Sequence, residues 1–395
     1  MKVLYLTEIL PYPLDSGGKI KTYATLKMLS KKHNITLVTF VGEKRPKKSF
    51  LYEIKKLGIK AHCVYSPKRK VGYKSTRKEM IKTALSFSPF LIDNMRSRSF
   101  KDRVRKILFS ETFDVIHIDH LAISQYLPEE KTCFWYYEEH NIEHLIYWNL
   151  AKSAASFKSK LFYFYEFLSL YLYERKQIKK FDKIFAISYD DKKVIKAKFK
   201  PKAKMDVLEV TIQAPRITKD SDLPASSIIF IGSLLWPPNL SAVTWFCQDI
   251  LPRIHKTYPR LNLIIVGHKN EEIENKLSQF PKCKLIGYVD KIDQYLDRRR
   301  HIFILPFIFG EGVRVKALMA MAHGVPLVST AAGVRGIEAK GGRDYLEATG
   351  SRSFSCQTIK LIKDANLRKE LGANGRKLVR KNYAETIASS ALDRY

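Results

Sequence analysis

Three clusters in this sequence have residue types and spacings suited to chemistry. Asp15-Ser16-Gly17-Gly18-Lys19 lies between an opening apolar run and a helix with Ile20, Tyr23, Leu26 and Leu29 on its apolar face. Paired glycines at a strand-to-helix turn let backbone N–H groups approach an anion, and the helix N-terminus adds partial positive charge. The spacing is neither G-x-G-x-x-G nor a Walker A, and a plain tight turn explains it as well. The second cluster, Gly310-Glu311-Gly312-Val313-Arg314-Val315-Lys316, follows Ile304-Leu305-Pro306 and opens a helix that Gly324 ends, before a strand from Pro326 to Thr330. Free N–H groups, Arg314 and Lys316 at one helix start suit a diphosphate, and Glu311 suits sugar hydroxyls. An ordinary amphipathic helix with an acid at its positive end is the alternative. The third cluster is histidine-rich: His117-Ile118-Asp119-His120 and Glu138-Glu139-His140-Asn141-Ile142-Glu143-His144 each follow a strand. Neither has the H-E-x-x-H spacing of a helical zinc site, and capping or surface histidines are the competing explanation.

The elements that must position these groups follow one rhythm. Apolar, β-branched runs at Val3 to Thr7, Ile35 to Val41, Ala61 to Tyr65, Asp114 to Ile118, Thr132 to Tyr136 and Lys183 to Ser188 alternate with helix-sized segments such as Lys19 to Lys32 and Arg98 to Phe109. That alternation predicts a parallel sheet of strand-helix-strand units. The rhythm breaks at 211–226, where prolines and small polar residues predict a linker. It resumes at Ile228 to Gly232, Leu261 to Gly267, Lys284 to Tyr288, Ile302 to Pro306 and Pro326 to Thr330. We therefore expect an α/β protein of two Rossmann-like, doubly wound domains facing a central cleft. Residues 1–210 and 227–375 form the two domains, and a C-terminal helix in 376–395 packs back on the first.

Composition sets the outer limits. A chain of 395 residues is long enough for two domains, and 45% hydrophobic residues exclude the disordered class. The five cysteines, Cys63, Cys133, Cys247, Cys283 and Cys356, form no C-x-x-C pair, which speaks against a disulfide scaffold or structural zinc. The opening MKVLYLTEILPYPLDSGG reads as strand and loop rather than signal peptide, so a cytoplasmic location is expected. The longest apolar run, Leu161 to Tyr173, contains Glu166 and is too short to span a bilayer. The aromatic segment Phe157 to Tyr173 is available for docking on anionic lipid headgroups, although core packing is the expected use of most of its residues.

A net charge of +31 predicts an anionic partner: nucleic acid, acidic lipid or a phosphorylated small molecule. Basic stretches concentrate in the first half, at Lys44, Arg45, Lys47 and Lys48, at Lys55, Lys56 and Lys60, at Lys68, Arg69 and Lys70, and from Arg96 to Lys106. They interleave with Phe50, Tyr52, Tyr73, Phe87, Phe90, Leu91 and Ile92, a mixture suited to anionic headgroups, although each run alone is often a solvated face.

The segment Gly310 to Thr330 resembles the donor-site segment of the group-one (family four) glycosyltransferases of the GT-B fold. PYPLDSGGKIKTYATLKMLSKKHNITLVTF is similar to that family's first strand, glycine loop and helix, Ile231 to Asn239 to the start of its second domain, Ile264 to Gly267 to its next strand, and Leu371 to Arg376 to its C-terminal helix start. The resemblance implies transfer of a sugar from a nucleotide diphosphate donor with retention, the donor held mainly by the second domain and the acceptor by the first. It implies donor binding by Gly17, Gly18, Gly232, Gly310, Gly312, Arg314 and Lys316, a sugar contact at Glu311, and His120 and His140 near the reacting centre. The family's second glutamate, expected on the ribose, falls on Met319, whose thioether cannot accept two hydroxyl hydrogen bonds. The ribose is then held elsewhere, the donor is unusual, or activity is lost. Asp220-Ser221-Asp222 is the one Asp-x-Asp match; it falls in the linker and reads as a solvated decoy, so no metal or other cofactor is expected. The expectation is a metal-independent enzyme using a UDP- or GDP-linked sugar on a lipid-linked or other anionic saccharide, peripheral at the inner membrane face. A nucleic-acid binder, a sugar-nucleotide epimerase and a non-catalytic paralogue are the rivals.

Overall fold

The computed structural model describes residues 1–44, 46–67, 88–154, 156–215, 225–308, 312–392 and 395. Gly310, Glu311, the Asp220-Ser221-Asp222 motif and the basic and aromatic residues Arg45, Lys68, Arg69, Lys70, Tyr73 and Phe87 lie outside the described residues. The chain divides into two units, Met1–Glu209 with Ser389–Tyr395, and Val210–Ala388.

The first unit is a parallel sheet of seven strands: β1 (Lys2–Thr7), β2 (Asn34–Val41), β3 (Lys60–Tyr65), β4 (Val115–Asp119), β5 (Phe134–Glu138), β6 (Lys183–Ala186) and β7 (Lys204–Val207). Their spatial order is β3-β2-β1-β4-β5-β6-β7. Its inner strands are buried nearly end to end, as expected where helices cover both faces. Leu4, Leu6, Val38, Ile116, Ile118, Tyr137 and Ile184 form part of one core. The order reverses between β1, paired to β2 at Val3–Ile35, and β4, paired to β1 at Val3–Val115. Ligands of open sheets bind outside the carboxyl ends of strands at such a reversal. Two strand readings need correction. β5 runs two residues beyond Tyr136, so Glu138 ends the strand instead of opening the loop. β7 is added at the edge; its KMDV sequence is too short and polar to give a strand signal.

The second unit is a six-stranded sheet: β8 (Ser227–Ile231), β9 (Asn262–Val266), β10 (Cys283–Gly287), β11 (His301–Leu305), β12 (Leu327–Ser329) and β13 (Leu346–Glu347). The order β10-β9-β8-β11-β12-β13 repeats the pattern of the first unit, with its reversal between β8 and β11. The start of the expected linker is tied into this unit: Ile212 N–H donates to the Tyr383 carbonyl at 2.9 Å, and the Arg376 guanidinium donates to the Pro215 carbonyl. The C-terminal region is two helices, Ala365–Asn382 and Glu385–Leu392. The first packs in the second unit through Leu371, Arg376 and Val379, while Ser389–Tyr395 clusters with the first unit. No helix among the described residues is long and apolar enough to cross a membrane.

Candidate active site

In the first unit the carboxyl ends of β1, β4 and β5 bring two histidines onto one aspartate. Asp119, the last residue of β4, is fully buried. One carboxylate oxygen accepts from the Thr7 hydroxyl at 2.5 Å, the Thr22 hydroxyl at 2.9 Å and His120 Nδ1 at 3.1 Å; the other meets His140 Nε2 at 2.6 Å. The two imidazoles stack with centroids 3.7 Å apart. His120 holds φ of +77°, a region costly for a residue with a Cβ. The Gly17–Gly18 turn lies against it: a Cβ on Gly18 would sit 3.6 Å from His120 Nε2. Ser16 caps the helix Gly17–Leu29, its side chain accepting from Lys19 N–H at 3.4 Å.

Charge divides unequally between the rings. Burial opposes a charge on His120, but the carboxylates of Asp119 and Glu8 hold it up to about 10. Burial and the charged His120 push His140 below the ordinary histidine range. Burial also works against an ionised Asp119, yet the two imidazoles hold its carboxyl well below the usual carboxylate range. With His120 Nδ1 bonded to the Asp119 carboxylate, the remaining His120 donor is Nε2, beside the glycine turn. Asp119, His120 and His140 offer ligand atoms within 4.8 Å of one another, close enough for a metal ion. Four donors already satisfy the carboxylate, so the set is complete as a hydrogen-bond network.

A second buried layer supports the first. Glu138, at the end of β5, accepts from Lys21 Nζ at 2.5 Å and Thr25 at 2.8 Å on one oxygen, and from Tyr5 at 3.2 Å and His117 at 3.1 Å on the other. Burial raises the cost of its charge, and Lys21 and then His117 outweigh it, holding Glu138 down at about 2. His117 Nδ1 reaches the Tyr395 hydroxyl at 2.8 Å.

In the second unit the β8 and β11 ends carry a cationic cluster. Lys316 Nζ donates to Asn239 Oδ1 at 2.8 Å, and Asn239 Nδ2 donates to the Ser233 carbonyl at 2.8 Å. The ammonium lies 4.9 Å from the Phe230 ring centroid and 5.2 Å from that of Phe307, and the Arg314 guanidinium stands over Phe307, 4.4 Å from its centroid. Arg314 Nε also donates to the Ala332 carbonyl at 3.3 Å. Burial, and after it the charge on Arg314, push the Lys316 ammonium down to about 7. Gly232 is what admits the lysine: a Cβ there would sit 2.5 Å from Lys316 Nζ.

The helix opens later than its sequence suggests. It spans Val315–Ala322 with Arg314 at the N-cap, because Gly312 has φ of +74° and cannot begin a right-handed helix. Met319 lies one turn beyond Lys316, half-buried, and its carbonyl accepts from His323 N–H at 3.2 Å. The structure thus brings Gly18, His120 and His140 together in the first unit and Gly232, Arg314 and Lys316 together in the second. The roles of Asp119, Lys21, Glu138 and Asn239 were not predicted. Asp119 had a usable signal, an acid at a strand end directly before a histidine; Lys21 and Asn239 had none, since their partners lie 117 and 77 residues away.

Residues 225–364 match the family model described as "Glycosyl transferases group 1". The chain is 26% identical over 408 residues to an uncharacterised 44.6 kDa protein in the cps region of Klebsiella pneumoniae, covering 99% of this chain and 98% of that one. Among solved structures it is similar to sucrose-phosphate synthase from Thermosynechococcus elongatus, with TM-score 0.70 and 12% identity over 100% of this chain and 98% of the other. Anabaena HepE in complex with UDP and glucose gives TM-score 0.66 and 12% identity over 100% and 98%. A TarM variant from S. aureus, in complex with Fondaparinux, alpha-GlcNAc-glycerol and UDP, gives 0.68 and 10% over 100% and 99%.

Proposed function

The chain is a GT-B fold protein whose residues 225–364 belong to the group 1 glycosyl transferases, and from that premise we propose that it transfers a sugar from a nucleotide diphosphate sugar, with retention, to a saccharide acceptor. The observation that carries this reading is the Lys316 cluster. An ammonium pushed down to about 7 by burial and by Arg314, at the end of the central strands, has no carboxylate partner among the described residues. A diphosphate supplies the anion, and the same two cations stabilise the charge that grows on the leaving nucleoside diphosphate. They do so without a metal in this proposal. Gly232 keeps the turn open for the ammonium, Gly17 and Gly18 line the first unit's loop, and Gly310, Gly312 and Glu311 complete the donor loop, with Glu311 on the sugar. His120, cationic and with Nε2 beside Gly18, is the donor toward the reacting sugar, and His140 orients it through Asp119.

UDP is the proposed nucleotide, supported by the UDP complexes of HepE and TarM. The cps-region relative supports a role in polysaccharide synthesis, and the net charge of +31 supports an anionic, lipid-linked acceptor at the cytoplasmic face of a membrane. The test is turnover of a panel of UDP- and GDP-sugars, in chelator, with lipid-linked saccharide acceptors, product anomers being read by NMR. Arg314→Ala should lower kcat/KM by roughly 100-fold or more; unchanged turnover would remove the donor-site assignment. Met319 favours one second reading, a donor-binding protein that no longer catalyses transfer, marked by nucleotide-sugar binding with no turnover on any acceptor.

A further inference from the structure

The helix Phe157–Ile178 buries acids and leaves an apolar stripe outside. Its buried positions are Glu166, Leu170, Glu174, Gln177 and Ile178, while Phe157, Leu161, Phe164, Leu168 and Leu172 are 79%, 61%, 47%, 48% and 56% exposed. At the helical repeat these five fall within about 80° of arc, a continuous apolar stripe over four turns. The inward acids have work there: both Glu166 oxygens accept from Phe90 N–H, at 2.9 and 3.1 Å, and Glu174 bonds His144 Nδ1 at 2.5 Å. Both acids are therefore committed to the interior beside Leu170 and Ile178, and the five-residue apolar stripe is left outside.

We propose that this stripe is the surface on which the protein docks to an anionic lipid bilayer, the helix lying in the plane of the interface. The charge pattern selects this occupant. Exposed Lys158 and Lys160 flank the stripe at one end and exposed Arg175 and Lys176 stand at the other, whereas both acids of the helix are buried. Pairing with the same helix of a second copy, in either direction, sets cations against cations at both ends. An anionic bilayer instead pairs with the cations through its headgroups and takes the five apolar side chains into the headgroup–acyl boundary. The inference deepens the proposed membrane placement and rests on that reading, but it does not depend on sugar transfer.

The experiment is sedimentation of the full chain with vesicles of phosphatidylglycerol and phosphatidylethanolamine, against phosphatidylcholine alone, at low and high salt. A protein of this charge adsorbs to anionic vesicles at low salt whatever its stripe, so the decisive variant leaves charge unchanged. Leu161→Ser with Phe164→Ser, Leu168→Ser and Leu172→Ser should weaken binding to the anionic vesicles at high salt by about tenfold or more. Its melting temperature and UDP-glucose binding should match the wild type, separating failure of docking from failure of the transferase reading. Should the fourfold variant not fold, Leu161→Ser with Leu168→Ser is measured, together with hydrogen exchange of the wild-type 157–178 peptide, which should slow on vesicle addition. Equal binding of variant and wild type, or a wild-type dimer that the substitutions dissolve, overturns the proposal.

Discussion

Lys316 and His120 are opposite solutions to burying a cation. His120 has a carboxylate within hydrogen-bond reach and is held up to about 10; Lys316 has an amide and aromatic faces and falls to about 7. The difference predicts a proton linkage. An arriving diphosphate favours the charged lysine, so binding takes up a proton above pH 7, and affinity falls as pH rises through about 7. Calorimetry of UDP-glucose binding at pH 8 in buffers of differing ionisation enthalpy should show uptake on the order of one proton, and Lys316→Met should abolish it. The diphosphate ester has no proton of its own to exchange there, so buffer-independent heats would refute the linkage. Asp119→Asn makes the complementary test. Without the carboxylate, only Glu8 and Glu143 oppose the cost of burial, and His120 should fall well below its wild-type value. Read as kcat at saturating donor, which removes the Lys316 effect on affinity, activity should decline at a lower pH in the variant than in the wild type, with the His120 ring signal titrating in parallel.

At the scale of elements, glycines decide how closely the β8 and β9 ends approach. Gly232 and Gly267 are neighbours, yet their replacement has different consequences. A Cβ on Gly232 meets the far end of a flexible lysine at 2.5 Å and Asn239 Nδ2 at 3.0 Å, both of which can move. A Cβ on Gly267 meets the Gly232 carbonyl oxygen at 2.2 Å, from a residue whose φ is +150°. Gly232→Ala should fold with a melting temperature near wild type while nucleotide-sugar affinity drops about tenfold. Gly267→Ala should cost about 3 kcal/mol of stability or more, read by denaturant unfolding. Equal destabilisation by both would show that the Lys316 pocket is part of the structural core.

For the whole molecule, buried acids tie stability to pH in two directions. Burial, opposed by the Phe90 N–H, raises Glu166 to about 7, and burial with the charges of Glu174 and Glu8 raises Glu143 to about 8. A carboxyl whose folded pKa lies above its unfolded value stabilises fully below about pH 4.3, and that contribution is lost as pH rises to 7 or 8. Glu138, held at about 2, behaves oppositely: its contribution is present above about pH 4.3 and disappears as pH falls toward 2. The melting temperature should therefore decline between pH 5 and 8, and Glu166→Gln, which keeps an acceptor for Phe90, should flatten part of that decline, by about 3 kcal/mol at pH 8. Parallel curves for variant and wild type would show Glu166 to be ionised in the folded state.

The sequence by itself determined the alternation of strands and helices and the placement of the glycine turns and histidine clusters at strand ends, because burial on both faces of a parallel sheet demands long apolar runs and turns demand particular residues. It also carried the family resemblance through Gly310 to Thr330. Only the tertiary structure decided which polar groups meet. Lys21 reads as an ordinary helix-surface lysine, and its burial follows from Glu138, distant in the chain; Lys316 reads as a phosphate ligand, but its Asn239 partner, 77 residues away, does not show in the sequence. In the helix from Phe157 to Ile178, Leu170, Tyr171, Tyr173 and Ile178 pack in or against the core as the aromatic run suggests, but which side chains stay outside was decided by folding: Glu166 and Glu174 find inward partners, and Phe157, Leu161, Phe164, Leu168 and Leu172 form the exposed stripe.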